Sequence, residues 1–297
     1  MSKMAVDKVT IVEVGPRDGL QNEAGFVDTS QKVALINLLS DCGFRRIEAT
    51  SFVSPRWVPQ MADATEVMAR IERQPETVYS VLTPNLRGFE AAVAARADEV
   101  AIFASASETF SRRNINCTIA ESLARFRPLA DAARRAAIPL RGYVSCVVEC
   151  PYEGPVLPSA VARVTAELLA LGCHEVSLGD TLGQGSPETI GPMLDSVLAV
   201  APVERLAGHF HDTNGRATES IELSLNRGIR VFDSAIGGLG GCPYAPGAKG
   251  NVDTMKVQAL MERLGFETGL RTEGLEAANA FALAMRPNER VSTQSAR

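Results

Sequence analysis

Short β-branched and apolar runs alternate with longer stretches of helical periodicity along almost the whole of this 297-residue chain. The strand candidates are residues 9–14, 45–49, 78–82, 99–104, 140–146, 175–178, 206–210 and 231–235. Helical patterns follow them in turn at 29–42, 63–74, 85–96, 118–137, 158–171, 187–200, 216–227 and 253–264. In the first of these, apolar residues return at helical spacing and Gly43 stops the helix. Strands that alternate with helices pair in parallel through right-handed crossovers. Eight such units predict an α/β fold, a closed (β/α)8 TIM barrel rather than an open doubly wound sheet. Residues 270–285 are left over as an extra C-terminal helical segment. Residues 1–286 read as one barrel domain and 287–297 as a polar tail.

Composition narrows the partners. A hydrophobic share of 45% and a charged share of 22% fit a globular protein with a large core. A net charge of -5, with no Lys/Arg-rich run, argues against a nucleic-acid surface. No apolar segment approaches the roughly 18 residues of a membrane span. The first ten residues lack the basic-then-apolar order of a signal peptide. Six cysteines without a CxxC pair read as free thiols of a reducing compartment, so a cytoplasmic protein is expected.

In a (β/α)8 barrel the reactive groups sit at the C-terminal ends of the strands. Those ends carry Arg17 and Asp18 after the first strand, Glu48 on the second, Asp180 after the sixth, and His209 and His211 on the seventh. A glycine-rich loop, residues 237–251, follows the eighth. His209 and His211 are two residues apart on a strand and so point the same way. A lone His-x-His is more often one buried and one structural histidine, but its place at a barrel mouth changes the reading. With Asp18 and Asn251 the pair forms a mixed O/N set that favours Mg²⁺ or Mn²⁺, with Zn²⁺ or Co²⁺ as alternatives. A metal held there polarises a substrate oxygen.

Arg17 beside this set can stabilise a carbonyl oxygen that becomes negative. Its structural alternative is an ion pair with a mouth acid such as Glu48, and both roles are compatible. Glu48 and Asp180 are candidates for orienting Arg17 and the ligands, while Asp180 could equally cap a helix. Cys242, flanked by glycines and a proline, differs from the core-like Cys42, Cys117 and Cys173. A thiol on a mobile lid can give or take a proton over a bound ligand.

Several blocks of sequence resemble the 3-hydroxy-3-methylglutaryl-CoA lyase family. They are Glu13-Val-Gly-Pro-Arg-Asp-Gly-Leu-Gln-Asn-Glu23, Thr50-Ser-Phe-Val-Ser-Pro-Arg-Trp-Val-Pro-Gln-Met61 and Leu82-Thr-Pro-Asn-Leu-Arg-Gly-Phe-Glu-Ala-Ala92. Shorter ones are Arg141-Gly-Tyr-Val-Ser145, Cys150-Pro-Tyr-Glu-Gly154, Ser177-Leu-Gly-Asp-Thr181 and Gly238-Leu-Gly-Gly-Cys-Pro-Tyr-Ala245. The resemblance implies the metal-dependent barrel superfamily named after its Asp, Arg and Glu, here Asp18, Arg17 and Glu48. It implies cleavage of a tertiary 3-hydroxyacyl-CoA to acetyl-CoA and acetoacetate. His209 or Asp18 would take the hydroxyl proton, Arg17 would stabilise the enolate, and Cys242 would serve proton transfer. Arg17, Gln21, Ser51, Asp180 and Thr181 would bind substrate, and a homodimer would be expected. Arg56, Arg112, Arg113 and Lys249 are candidates for the CoA anion.

The chain departs from the family pattern in three places. Met255 stands where the family carries an acid four positions after the ligand asparagine. Ala235-Ile-Gly237 replaces a Ser-Val-Ala stretch, and Phe210 lies between the histidines. Met255 motivates a rival reading as a lyase for citramalyl-CoA or a longer branched 3-hydroxyglutaryl-CoA. A condensing synthase and a non-catalytic acyl-CoA-binding barrel are further alternatives. The short chain disfavours the synthase, and retention of the reactive set disfavours the binding module.

Overall fold

In the computed structural model, which describes residues 7–23, 25–240 and 250–286, eight parallel strands close into a barrel. They are β1 (Thr10–Glu13), β2 (Arg46–Ser51), β3 (Val78–Leu82), β4 (Glu99–Ser105), β5 (Leu140–Ser145), β6 (Glu175–Asp180), β7 (Leu206–Phe210) and β8 (Val231–Ser234). Each strand pairs with its sequence neighbours. Closure comes from β1 against β8, in the register Thr10 to Val231 through Glu13 to Ser234. The (β/α)8 expectation therefore holds, with strand ends shifted by a residue or two.

Ten α-helices are described: α1 (Thr29–Asp41), α2 (Ala64–Arg70), α3 (Leu86–Ala94), α4 (Glu108–Ile115), α5 (Ile119–Arg135), α6 (Pro158–Leu171), α7 (Pro187–Leu198), α8 (Ala217–Asn226), α9 (Thr254–Leu264) and α10 (Thr272–Met285). Local chemistry sets their ends. Asp28 caps α1 and Thr118 caps α5, each in a reciprocal capping box with Gln31 or Glu121. Gly172, in the left-handed region at φ +108°, closes α6. The extra C-terminal segment is α10, which packs on α1. Among the described residues no helix is long and apolar enough to cross a membrane.

Three features have no counterpart in the sequence reading. α4 is rich in Ser, Arg and Asn, so it lacks an apolar stripe to announce it. Residues Gly15–Gly19 form one π-helical turn, the kind of irregular turn that often marks a functional position. A two-residue antiparallel pair joins Glu149–Cys150 to Gly154–Pro155. In the other direction, the helix expected over 63–74 stops at Arg70.

Alternation along the strands separates two environments. Val100, Ile102 and Ala104 of β4 belong to the main core shared with the helices, whereas Ala101 and Phe103 join Leu82 and Tyr143 in a separate cluster. The barrel interior is also unusually ionic, since branched apolar residues ordinarily fill it. Arg46 reaches Glu175 at 2.8 Å and Glu99 at 3.0 Å. Arg141 reaches Glu175 at 2.7 Å and Asp233 at 2.8 Å. Buried charges persist only when paired in this way. The chain of ion pairs ends directly beneath the mouth.

Candidate active site

The π-helical turn places Arg17 and Asp18 at the mouth. Val14 O accepts from the amides of Arg17, Asp18 and Gly19 at 3.2, 2.7 and 3.2 Å. A Cβ on Gly19 would lie 2.7 Å from Leu239 Cβ, so the close approach of this turn to residue 239 needs glycine. Arg17 is buried. Its Nε and Nη2 donate to Glu48 Oε2 at 2.7 and 2.6 Å, and Nη1 pairs with Asp18 Oδ1. The guanidinium also lies 5.5 Å from the Tyr143 ring centroid. Fully buried Glu48 keeps Oε1 without a hydrogen-bond partner among the described residues. Burial raises its carboxyl above the ordinary value despite Arg17.

Asp18 also accepts from Asn251 Nδ2 at 2.8 Å and from Gln21 Nε2 at 3.3 Å. Burial disfavours its charge, but Arg17 and the two histidines hold the carboxyl down to about 2. His209 Nδ1 lies 3.1 Å from Asp233 Oδ2, which leaves Nε2 facing Asp18 Oδ2 at 3.8 Å. Burial would lower the His209 pKa, but Asp233 and Asp18 raise it. His211, at the end of the same strand run, is lowered to about 4 by burial and by His209.

Ligand atoms of Asp18, His209 and His211 all fall within 4.8 Å of one another. His211 Nδ1 is buried with no hydrogen-bond partner among the described residues. A carboxylate and two imidazoles whose ligand atoms converge this closely fit a divalent cation. Asn251 is brought to the same place by a bridge between residues 211 and 251. Asp233 behind His209 holds that imidazole through Nδ1, as an outer carboxylate does for a histidine ligand.

A cavity of about 1060 Å³ opens over this group, walled by Arg17, Asp18, Tyr143, Thr181, His209 and His211, and it extends past Gln21 to Arg113 and Arg125. Of the residues expected to bind substrate, Arg17, Gln21 and Thr181 line it. Ser51 and Asp180 do not. Ser51 is buried and its hydroxyl donates to Leu82 O at 3.3 Å. Asp180 accepts from the Gly185 and Gln184 amides at 2.7 and 3.3 Å, so it caps its own turn. Arg113 lines the cavity, whereas Arg112 and Arg56 do not. Cys242 and Lys249 lie outside the described residues.

Met255 does not line the cavity either; it packs against the core, and Asp253 caps α9 by accepting from the Met255 amide at 3.0 Å. Sequence reasoning missed Tyr143, Arg141, Asp233 and Glu13. The available signal was a charged or hydroxylated residue inside an otherwise apolar strand.

Glu13 is fully buried beneath the mouth. Its Oε1 accepts from the Gly15 and Ile236 amides at 2.8 and 3.0 Å, and Oε2 from Thr254 Oγ1 at 2.7 Å. Burial nonetheless pushes it up from 4.5 to about 7. Between those values the folded protein holds a proton that the unfolded chain has released. Stability from this group is therefore complete below pH 4.5 and falls as pH rises to 7, by about 3 kcal/mol. Urea unfolding at pH 5 and pH 8 should show Glu13→Gln gaining on the wild type by about that amount at the higher pH. An equal difference at both values would contradict it.

Comparison with known proteins gives the geometry a family. A family model described as HMGL-like matches residues 8–281. The chain belongs to the HMGL-like family. A mitochondrial hydroxymethylglutaryl-CoA lyase of Arabidopsis thaliana is 58% identical over 92% of this chain, which spans 58% of that protein's length. The HMG-CoA lyase structure from Brucella melitensis superposes with a TM-score of 0.93 at 62% identity, covering 94% of this chain and 99% of its own. That from Acinetobacter baumannii, in complex with coenzyme A and 3-methylmalate, gives 0.90 at 37% identity over 95% and 93%. Members of the HMGL-like family depend on a divalent metal, in keeping with the Asp18–His209–His211 group.

Proposed function

We propose that this HMGL-like chain is a carbon–carbon lyase that splits 3-hydroxy-3-methylglutaryl-CoA into acetyl-CoA and acetoacetate. The observation that carries the reading is the convergence of ligand atoms of Asp18, His209 and His211 within 4.8 Å of one another, with Arg17 clamped by Glu48 at the same mouth. Asp18, His209, His211 and Asn251 are the ligands we assign, and oxygen donors with imidazole suit Mg²⁺ or Mn²⁺. Bound there, the cation supplies Lewis-acid polarisation of a substrate oxygen.

The residues divide the rest of the work. The C3 hydroxyl gives its proton to His209 or Asp18. Asp18 could hold the cation through one oxygen and take the proton on the other, whereas His209, with Nδ1 committed to Asp233, has only Nε2 to offer. As C3 becomes a carbonyl, the C2–C3 bond breaks and its electron pair moves onto C2 as a thioester enolate. The Arg17 guanidinium, fixed by Glu48, is preorganised for that enolate oxygen. A proton delivered to C2, in our assignment by Cys242, completes acetyl-CoA. Gln21 and Thr181 on the cavity wall are our candidates for orienting the acyl group.

A CoA thioester is supported by the cavity's volume of about 1060 Å³ and by Arg113 and Arg125 among its lining residues. A homodimer and a cytoplasmic setting are part of the same proposal, the latter resting on six cysteines without a CxxC pair. Met255 lies off the cavity wall, which removes the motive for the rival substrates. With the methylglutaryl, citramalyl and a 3-ethyl-3-hydroxyglutaryl thioester compared side by side, kcat/KM should be highest for the first. A higher value for either of the others would transfer the assignment to that substrate.

A further inference from the structure

We propose that Arg141 is a positioning residue that fixes both halves of the reaction centre at once, although it lines no part of the cavity. Arg141 is 1% exposed and sits one layer below the mouth on β5. Its Nη2 donates to Asp233 Oδ1 at 2.8 Å and its Nη1 reaches Asp233 Oδ2 at 3.2 Å. Two parallel contacts set the plane of a carboxylate as well as its place, because the guanidinium fork is rigid. That plane turns Oδ2 toward His209 Nδ1, 3.1 Å away, and so sets the rotation of the imidazole. Ser177 Oγ, which donates to Oδ2 at 2.8 Å, holds only one oxygen and cannot fix the plane alone.

The same guanidinium acts on the other half. Arg141 Nη1 donates to Tyr143 Oη at 2.7 Å, with Cζ 4.9 Å from the ring centroid. Arg17 lies over that ring at 5.5 Å, so one tyrosine is in contact with both guanidiniums. The ring also meets His209 edge-on at 6.1 Å. Anchored from below, Tyr143 forms the wall against which Arg17 and His209 both rest. Arg141 is itself held by Glu175, which accepts from Nε at 2.7 Å and is shared with Arg46. Losing Arg141 thus leaves Glu175 paired but removes the arginine from Asp233.

This inference rests on the metal-lyase reading, and its test separates the two. Mn²⁺ binding to the folded chain is measured by calorimetry without substrate, alongside kcat and KM. Arg141→Lys keeps a charge but loses the fork. We expect its Mn²⁺ affinity to fall about 10- to 100-fold and kcat by at least about tenfold, with KM within about twofold of wild type. Tyr143→Phe keeps the ring and loses the hydroxyl, so kcat should fall a few-fold while Mn²⁺ affinity holds. Arg141→Lys combined with Asp233→Asn should cost little more than either change alone.

Unchanged Mn²⁺ affinity in folded Arg141→Lys, or additive effects in the double variant, would overturn the proposal while leaving the lyase reading intact. Should Arg141→Lys fail to fold, Arg141→Gln carries the same expectations. Wild-type protein that neither binds Mn²⁺ nor turns over would instead defeat the reading on which the proposal stands.

Discussion

Arg17→Met should lower kcat for 3-hydroxy-3-methylglutaryl-CoA by about 10³-fold, equivalent to about 4 kcal/mol of transition-state stabilisation. The guanidinium is already in place before substrate arrives. Three contacts to Glu48 and Asp18, all within 2.7 Å, leave it little freedom to reorganise. A preorganised charge serves the enolate more than the ground-state thioester, so KM should move by less than about threefold. The substitution also strips buried Glu48 of its cation, and burial already raises that carboxyl. Glu48 should then take up a proton, which limits the loss of stability that an unpaired buried charge would cause. A thermal melt separates the two effects: folded protein with residual activity near one part in a thousand is expected. Activity within tenfold of wild type would remove Arg17 from the chemistry.

His211→Ala should have an effect of similar size by a different route. The half-buried imidazole belongs to the cluster with Asp18 and His209, so its removal should act first on the cation. On our assignment the metal would lose one of its four protein ligands. Wild-type protein at a hundredfold excess of Mn²⁺ over Kd should gain about 2.7 kcal/mol of stability. The variant should gain almost none at that concentration, and kcat at ambient metal should drop by more than about 10²-fold. If the variant gained the same metal-dependent stability, His211 would not be a ligand.

The sequence carried the barrel because its signal is periodic. Eight apolar runs, each followed by a helical pattern, leave few topologies open. His209, His211, Arg17, Asp18 and Glu48 were legible because strand ends in this fold converge on one mouth. The strand-end rule also put Asp180 at the mouth, and the family resemblance added Ser51, but neither lines the cavity. A strand-end position does not say whether a residue joins the cavity wall, as Thr181 does, or turns back onto its own loop, as Asp180 does.

Arg141, Tyr143 and Asp233 were hidden for another reason. Their meaning depends on register: Arg141 pairs with Glu175 across the sheet and Asp233 lies opposite His209. Those partners are 34 and 24 residues away in sequence. Composition cannot show which buried charges will be neighbours. α4 escaped because it is short and mostly polar, with only Phe110 and Ile115 apolar, and Met255 misled because an unusual residue near a ligand need not face it.

The most direct test follows acetoacetate release from 3-hydroxy-3-methylglutaryl-CoA by protein stripped with a chelator, before and after addition of Mg²⁺ or Mn²⁺. The account predicts no release from the stripped protein, restoration by either cation, and no restoration in His211→Ala. Release that is equally fast with and without metal would contradict it.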